Sequence, residues 1–372
     1  MLLTLLSFII ILSVLVLIHE FGHFILAKKF GIKVEEFGVG FPPRAFSKKF
    51  GETVYSINWL PVGGFVKLYG EDSAGGGKIK VQGSKFKVQS SDNEDLSRAF
   101  YARPLWQRMS VVTAGVVMNF LLAVVLISFL FASQGVPLPS DKVIISEVVA
   151  GSPAATAGIQ NGDKVVSINQ IEIKDTKAFV TETKKLLGQV VVLTLLRDGK
   201  EVTTSLTPRV NAPKDQGAMG VSITSIEVKK YSLLEAPFYG TVEALKFSGL
   251  ILGGLGTMVT DLVTQGIKPE GVAGPIGVAQ LTGEAVRAGW FAVLWFTALL
   301  SLNLAVLNIM PIPALDGGRF FFMIIELVFR KKVSPKYEAY AHGVGLVLLL
   351  GLMAVITLVD VSRLIQGKSI LP

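Results

Sequence analysis

The chain has 372 residues, 51% of them hydrophobic and 17% charged, with a net charge of +8 and no cysteine. That composition excludes a disordered chain and an ordinary soluble domain. Without cysteine there is no disulfide framework, thiolate metal site or cysteine nucleophile, so any metal falls to His, Asp or Glu. The basic residues lie between long apolar runs rather than along one polar face, which points to a charge-sorted membrane protein and away from nucleic acid.

The first apolar run covers residues 2–27 and is stopped by Lys28-Lys29, about one bilayer crossing. It lacks the basic start and small-residue cleavage motif of a signal peptide, so it reads as a retained span. Residues 34–69 follow as a cytoplasmic β-loop region, in which Tyr55 to Leu60 alternates as a strand does. Residues 70–97, rich in Gly, Ser and Lys, read as a mobile loop. A second span over 109–131 completes the first part of a membrane core, residues 1–133.

Residues 140–225 then change to an alternating, glycine-punctuated pattern, expected to form a small β-rich domain. Val143 to Val149 and Val190 to Leu196 read as strands, Arg197-Asp198-Gly199-Lys200 as a hairpin turn, and Thr176 to Leu187 as a helix. The run from Ser152 to Asn169 resembles the PDZ signature: a short helix, a Gly162-Asp163 turn, and a strand ending in Ile168-Asn169. Such domains bind extended peptides by strand addition, so an extracytoplasmic peptide or protein partner is implied. Residues 226–286 are expected to be an interfacial or linker helical segment. Their apolar part, Leu233 to Thr264, is interrupted by Glu235, Glu243, Lys246 and Asp261 and loosened by glycines, leaving too short an uncharged core to cross.

The second part of the core, residues 287–372, holds spans at 288–307 and 343–359. The fold class is therefore a polytopic α-helical membrane protein with four transmembrane helices, a membrane-associated β-hairpin region and a small β-rich extracytoplasmic domain. Lys and Arg cluster after span one, before span two and between spans three and four. These flanks are expected to face the cytoplasm, with both termini and the β-rich domain on the other side.

The chemistry centres on His19-Glu20-Phe21-Gly22-His23, an HExxH pattern inside the first span. Positions i and i+4 project from one helix face and can share a metal ion, while Glu20 beside them can take a proton from a water that the metal has acidified. Ionisable residues at membrane depth are costly and mark function. A catalytic zinc takes three protein ligands, and Asp316 is the best third donor. It lies after span three in Asn308-Ile309-Met310-Pro311-Ile312-Pro313-Ala314-Leu315-Asp316-Gly317-Gly318, where Pro311 and Pro313 break the helix and the glycines allow a sharp return. His342, the remaining histidine, reads as interfacial or snorkelling rather than as a ligand. From His19 to Lys28 is about 13 Å of helix, so the metal would sit nearer the cytoplasmic face.

HExxH in a first span, Asn-x-x-Pro-x-Pro-x-Leu-Asp-Gly downstream and a PDZ-like insert between resemble the site-2 protease family of intramembrane zinc metalloproteases. The nearest type is the bacterial regulator-of-sigma-E protease. Supporting matches are Leu60 to Lys67, Arg103 to Arg108 leading to Gly115 to Asn119, and Gly274-Pro275-Ile276. The resemblance implies one zinc per chain held by His19, His23 and Asp316, with Glu20 as the base. It implies substrate contacts from Asn308 and the β-loop at Gly63, Gly64 and Phe65, with lesser roles for Asn119, Pro311 and Pro313. The implied substrates are single-span membrane proteins such as anti-sigma factors, and the implied location is a bacterial inner membrane. Val116 stands where the family often has proline, one PDZ signature stands where many members have two, and the 75–97 loop has no counterpart. Two other readings remain: a noncatalytic PDZ-bearing membrane scaffold, and a metal transporter.

Overall fold

A computed structural model of the chain describes residues 2–71, 96–213, 215–265, 273–331 and 333–366. The chain divides into two compact units, residues 1–130 with 233–372, and residues 131–232. Most of the glycine-rich loop expected at 70–97 lies outside the described residues.

The first unit opens with α1 (Leu2–Lys29), an apolar helix ended by its two lysines. Strands β1 (Val34–Phe50) and β2 (Thr53–Leu68) then pair along their whole lengths. Both strands bend, so β1 is flanked on two sides: Phe37 lies opposite Val66 on one and opposite Tyr55 on the other, and Phe46 returns to face Ile57. The far half of this sheet is inverted. Glu36, Ser56 and Asn58 are buried, while Phe46, Phe50, Ile57, Trp59 and Leu60 are exposed. The Ser56 hydroxyl donates to Glu36 at 2.7 Å, Arg44 pairs with the same carboxylate, and the Asn58 amide donates to the Gly40 carbonyl at 3.1 Å. These bonds tie the buried polar groups together and leave the apolar face outward.

Helix α2 (Leu105–Ser133) is the second long apolar helix. Beyond it, the second unit contains β3 (Val136–Val148), the one-turn α3 (Pro153–Thr156), β4 (Lys164–Ile168), β5 (Ile171–Glu172), α4 (Thr176–Lys185), β6 (Val191–Arg197), β7 (Lys200–Leu206) and β8 (Val221–Lys229). The strand order is β7-β6-β4-β3-β8, with β5 against β4. The expected limits of 140 and 225 fall short at both ends, because β3 and β8 continue pairing as far as Val136 opposite Lys229. The Asp198-Gly199 turn takes positive φ at both residues, as a tight β6–β7 hairpin requires. Ser152 caps α3 and Asp175 caps α4 through their side-chain oxygens. Val143, Ile145, Val165, Ile168, Leu193 and Leu195 fill the core.

The first unit resumes with α5 (Ala236–Gln265), α6 (Pro275–Ala288), α7 (Trp290–Ile309), α8 (Asp316–Phe329) and α9 (Pro335–Ile365). Among the described residues, four helices are long and apolar enough to cross a membrane: α1, α2, α7 and α9 from Lys336. The glycines of α5 do not loosen it as the sequence suggested. Gly249, Gly253, Gly254 and Gly256 have open space where a Cβ would lie, and the helix runs through them, since a glycine costs a helix only about 1 kcal/mol. Helix α6 is tied to α9 at its start, where buried Asp360 accepts from the Gly277 N–H at 2.9 Å.

Two ion clusters outside the spans fix local geometry. Glu52, at the start of β2, accepts from Arg98 and Lys28, and these partners hold its carboxyl down to about 2. Asp163, at the turn before β4, is almost fully buried and meets Arg197 through two bonds of 2.7 Å. Burial pushes this carboxyl up, but Arg197 and the Gln160 N–H outweigh it and hold it below the usual carboxylate range. The pair's contribution is therefore complete above about pH 4 and fades as the pH falls through the lowered folded value. Removing Arg197 leaves the Asp163 carboxylate without its cation, so Arg197→Ala is expected to destabilise the β-rich unit. Amide hydrogen exchange across β4 and β6 in the full chain would measure it; unchanged protection would exclude a stabilising role for the pair.

Candidate metal centre

The HExxH pattern forms the fifth and sixth turns of α1, and its two imidazoles point the same way. His19 Nε2 and His23 Nε2 lie 3.2 Å apart, and Asp316 Oδ2 is 2.8 Å from the first and 3.2 Å from the second. Both histidines are buried, and Asp316 is half-buried. Among the described residues, these three are the one group of His and acidic side chains whose donor atoms could hold a metal ion.

The histidines' other ring nitrogens test whether an ion fits. The Val111 carbonyl lies 2.7 Å from His23 Nδ1 and can only accept, so Nδ1 carries the proton and Nε2 presents a lone pair. Asn119, fully buried on α2, lies 3.5 Å from His19 Nδ1, and its own Oδ1 has no partner among the described residues. Turning this near-symmetric amide over lets His19 Nδ1–H donate to Oδ1, satisfies the orphaned oxygen and frees His19 Nε2 as well. Two lone pairs and a carboxylate oxygen then face one another in a buried space, an arrangement that repels itself unless a cation sits among them. The donor set fits zinc.

The close approach of α1 and α2 depends on two glycines. A Cβ on Gly115 would lie 2.5 Å from His23 Nε2 and 2.7 Å from His19 Nε2, and a Cβ on Gly22 would lie 2.5 Å from the Ala114 carbonyl oxygen. The signal for both was in the sequence, since glycines in apolar helices mark close contact, yet no role could be given to Gly115 without the partner helix. Asp316 comes from the other end of the chain, as the first residue of α8. Gly318 packs where a Cβ would meet the Ile312 carbonyl oxygen at 2.5 Å, so the chain doubles back tightly behind the carboxylate. Arg108 on α2 donates to Glu326 on α8 at 2.7 Å and locks α8 beside the histidines.

Glu20 faces a cavity of about 610 Å³ that His23, Phe65, Val66, Asp316, Arg319 and His342 also line. Its carboxylate accepts from the Val66 N–H at 3.0 Å, so the edge of β2 runs beside the centre. Gly64 packs against Leu17 and the Gly38 carbonyl, and Gly63 takes the positive φ that turns β2 along α1. Asn308 is half-buried near the end of α7 and is not among the described residues lining the cavity, nor are Pro311, Pro313, Gly63 or Gly64. His342 departs from the expectation of an interfacial residue: its Nδ1 accepts from the Ala314 N–H at 2.8 Å inside this cavity.

The model of peptidase family M50 matches residues 7–352. The chain belongs to peptidase family M50. It is a zinc metalloprotease of the site-2 protease family. Zinc metalloprotease RasP of Shouchella clausii is 33% identical over 425 residues, covering 97% of this chain and 99% of that protein. The regulator of sigma-W protease RasP of Bacillus subtilis is 31% identical over 423 residues, with coverage of 97% and 99%. A Clostridium perfringens protein described as a candidate zinc metalloprotease is 36% identical over 349 residues, covering 94% of this chain and 96% of that protein. A solved structure, the PDZ domain of an SdrC-like protein from Listeria monocytogenes, is matched over 24% of this chain and 94% of that domain, at 20% identity and a TM-score of 0.21.

Any side chain at position 115 displaces the imidazoles. Gly115→Val is expected to reduce bound zinc from about one per chain to a small fraction while helix content by circular dichroism is kept. Asn119→Ala is expected to weaken zinc binding about 10- to 100-fold, as loss of a ligand's hydrogen-bond partner does. Competition with a metal-chelating dye measures both, and full zinc affinity in either variant would refute the assignment.

Proposed function

We propose that this protein is an intramembrane endopeptidase that hydrolyses peptide bonds in or near the membrane segment of single-span membrane proteins. His19, His23 and Asp316 hold one zinc per chain, and Glu20 is the general base. The observation that carries this reading is a cluster of three metal-binding donors, two of which, His23 and Asp316, line one cavity with Glu20 beside a strand edge. A scaffold needs no such convergence of ionisable groups at membrane depth, where each is costly.

Zinc bound there supplies a Lewis acid that polarises the scissile carbonyl and acidifies water. Glu20 takes a proton from the attacking water and returns it to the leaving amine nitrogen as the C–N bond breaks. His23 Nδ1–H on Val111 and His19 Nδ1–H on Asn119 keep both imidazoles in one orientation throughout. A helical substrate hides its peptide groups in internal hydrogen bonds, so it must be unwound and held extended. The edge of β2 at Gly63, Gly64 and Phe65 offers strand pairing for that purpose, with Asn308 as a further substrate contact and Pro311 and Pro313 shaping the turn that bears Asp316. Asn119 belongs to the centre as a positioning residue.

Lys and Arg placement puts the centre nearer the cytoplasmic face of a bacterial inner membrane, with the β-rich unit and both termini outside. That unit, residues 131–232, acts as a PDZ-like module for an extracytoplasmic peptide or protein segment. The Bacillus subtilis relative's name as a regulator of sigma-W supports anti-sigma factors as one substrate class.

Glu20→Gln is expected to lower cleavage of a single-span test substrate about a thousandfold with zinc retained, and His23→Ala to lose zinc as well as cleavage. Gel analysis of the substrate beside elemental analysis of the purified protein separates the two effects. Undiminished cleavage by Glu20→Gln would overturn the proposal.

A further inference from the structure

The third histidine stands outside the donor cluster, yet both of its ring nitrogens are informative. His342 lies in the third turn of α9, and its Nδ1 is 2.8 Å from the Ala314 N–H. A backbone N–H only donates, so Nδ1 must hold a lone pair and the ring proton must sit on Nε2. Nε2 is shielded from solvent and has no hydrogen-bond partner among the described residues. The same ring lines the cavity shared by Glu20, Val66 and Asp316.

A buried donor left without an acceptor costs about 1–3 kcal/mol, so such a group persists where something supplies the acceptor in use. The bond to Ala314 also explains a local conformation. Ala314 has φ +81°, a left-handed geometry that alanine rarely adopts, two residues before Asp316. Phe322 of α8 packs on the imidazole with ring centroids 5.8 Å apart, which limits its rotation. His342 is thus held in one tautomer and one orientation by the turn that delivers Asp316.

We propose that His342 is a substrate-binding residue whose Nε2–H donates to a backbone carbonyl of the peptide once the side chains that cover it at the cavity wall move aside, while its Nδ1 fixes the turn before Asp316. The extended substrate then lies between the β2 edge and α9, held on one side by strand pairing and on the other by this donor. A peptide fits because its carbonyls are acceptors for Nε2, which has none among the described residues. This inference deepens the protease reading and rests on it for the identity of the ligand.

The two nitrogens can be tested separately, since an asparagine oxygen stands near the place of Nδ1 and a glutamine amide nitrogen near that of Nε2. The measurement is the affinity of a fluorescent single-span test peptide for detergent-purified, zinc-loaded protein in the noncleaving Glu20→Gln background. Adding His342→Asn is expected to weaken binding at least tenfold with zinc content unchanged, and adding His342→Gln to weaken it less. Equal peptide affinity with and without His342→Asn overturns the proposal. Imidazole ¹⁵N shifts provide a second reading on a chain with only three histidines. His342 is expected to show a protonated Nε2 that shifts on peptide binding, and a proton on Nδ1 overturns the proposal. Failure of the protease reading would appear separately, as equal processing of the test peptide by wild type and Glu20→Gln.

Discussion

Three electron-pair donors brought within 2.8–3.2 Å of one another in a buried space form an arrangement that is unstable alone and strongly favourable around a cation. The rest of the membrane unit can be understood as what holds them there. Gly22 and Gly115 let α1 and α2 approach until the imidazoles rest against the α2 backbone, and Val111 and Asn119 then meet the far ring nitrogens. The carboxylate arrives on a separate element, whose sharp turn is closed by glycines and clamped by the Arg108–Glu326 pair. Rigidity follows from this geometry, because each donor is fixed by groups on a different helix.

The sheet beside α1 works under the opposite constraint. Its polar residues Glu36, Ser56 and Asn58 bond to one another inside, and its aromatic and aliphatic side chains face outward, an arrangement suited to an apolar surrounding. The same sheet ends in an edge whose Val66 N–H is already bonded to Glu20. The strand that would receive an extended peptide and the carboxylate that would act on it are therefore joined by one hydrogen bond.

Much of the centre could be read from the chain alone, for a physical reason. Two histidines four apart on a helix meet the same point whatever the surroundings, so His19 and His23 needed only their spacing. Asp316 was legible because the Pro-Ile-Pro-Ala-Leu-Asp-Gly-Gly turn directly after span three breaks the helix, which is costly at membrane depth unless it lines a site. The apolar runs likewise placed four helices, as bilayer thickness demands. What depended on long-range packing was not legible. Alternation at Tyr55 to Leu60 announces two faces but not which one turns inward. The continuity of α5 through its glycines, the pairing of β3 with β8 as far as Val136, and the partners of Asn119 and His342 all arise from residues far away in sequence.

The separation of the donors has a consequence for biosynthesis. His19 and Asp316 lie 297 positions apart, so the complete donor set cannot exist until the third span and the turn after it have been made. A ribosome-bound chain carries the two histidines and Glu20 in its first span while still lacking the carboxylate that completes the centre. Metal capture by all three donors would thus wait until the third span and the turn after it have been made, and a chain interrupted earlier would carry only the two histidines and Glu20.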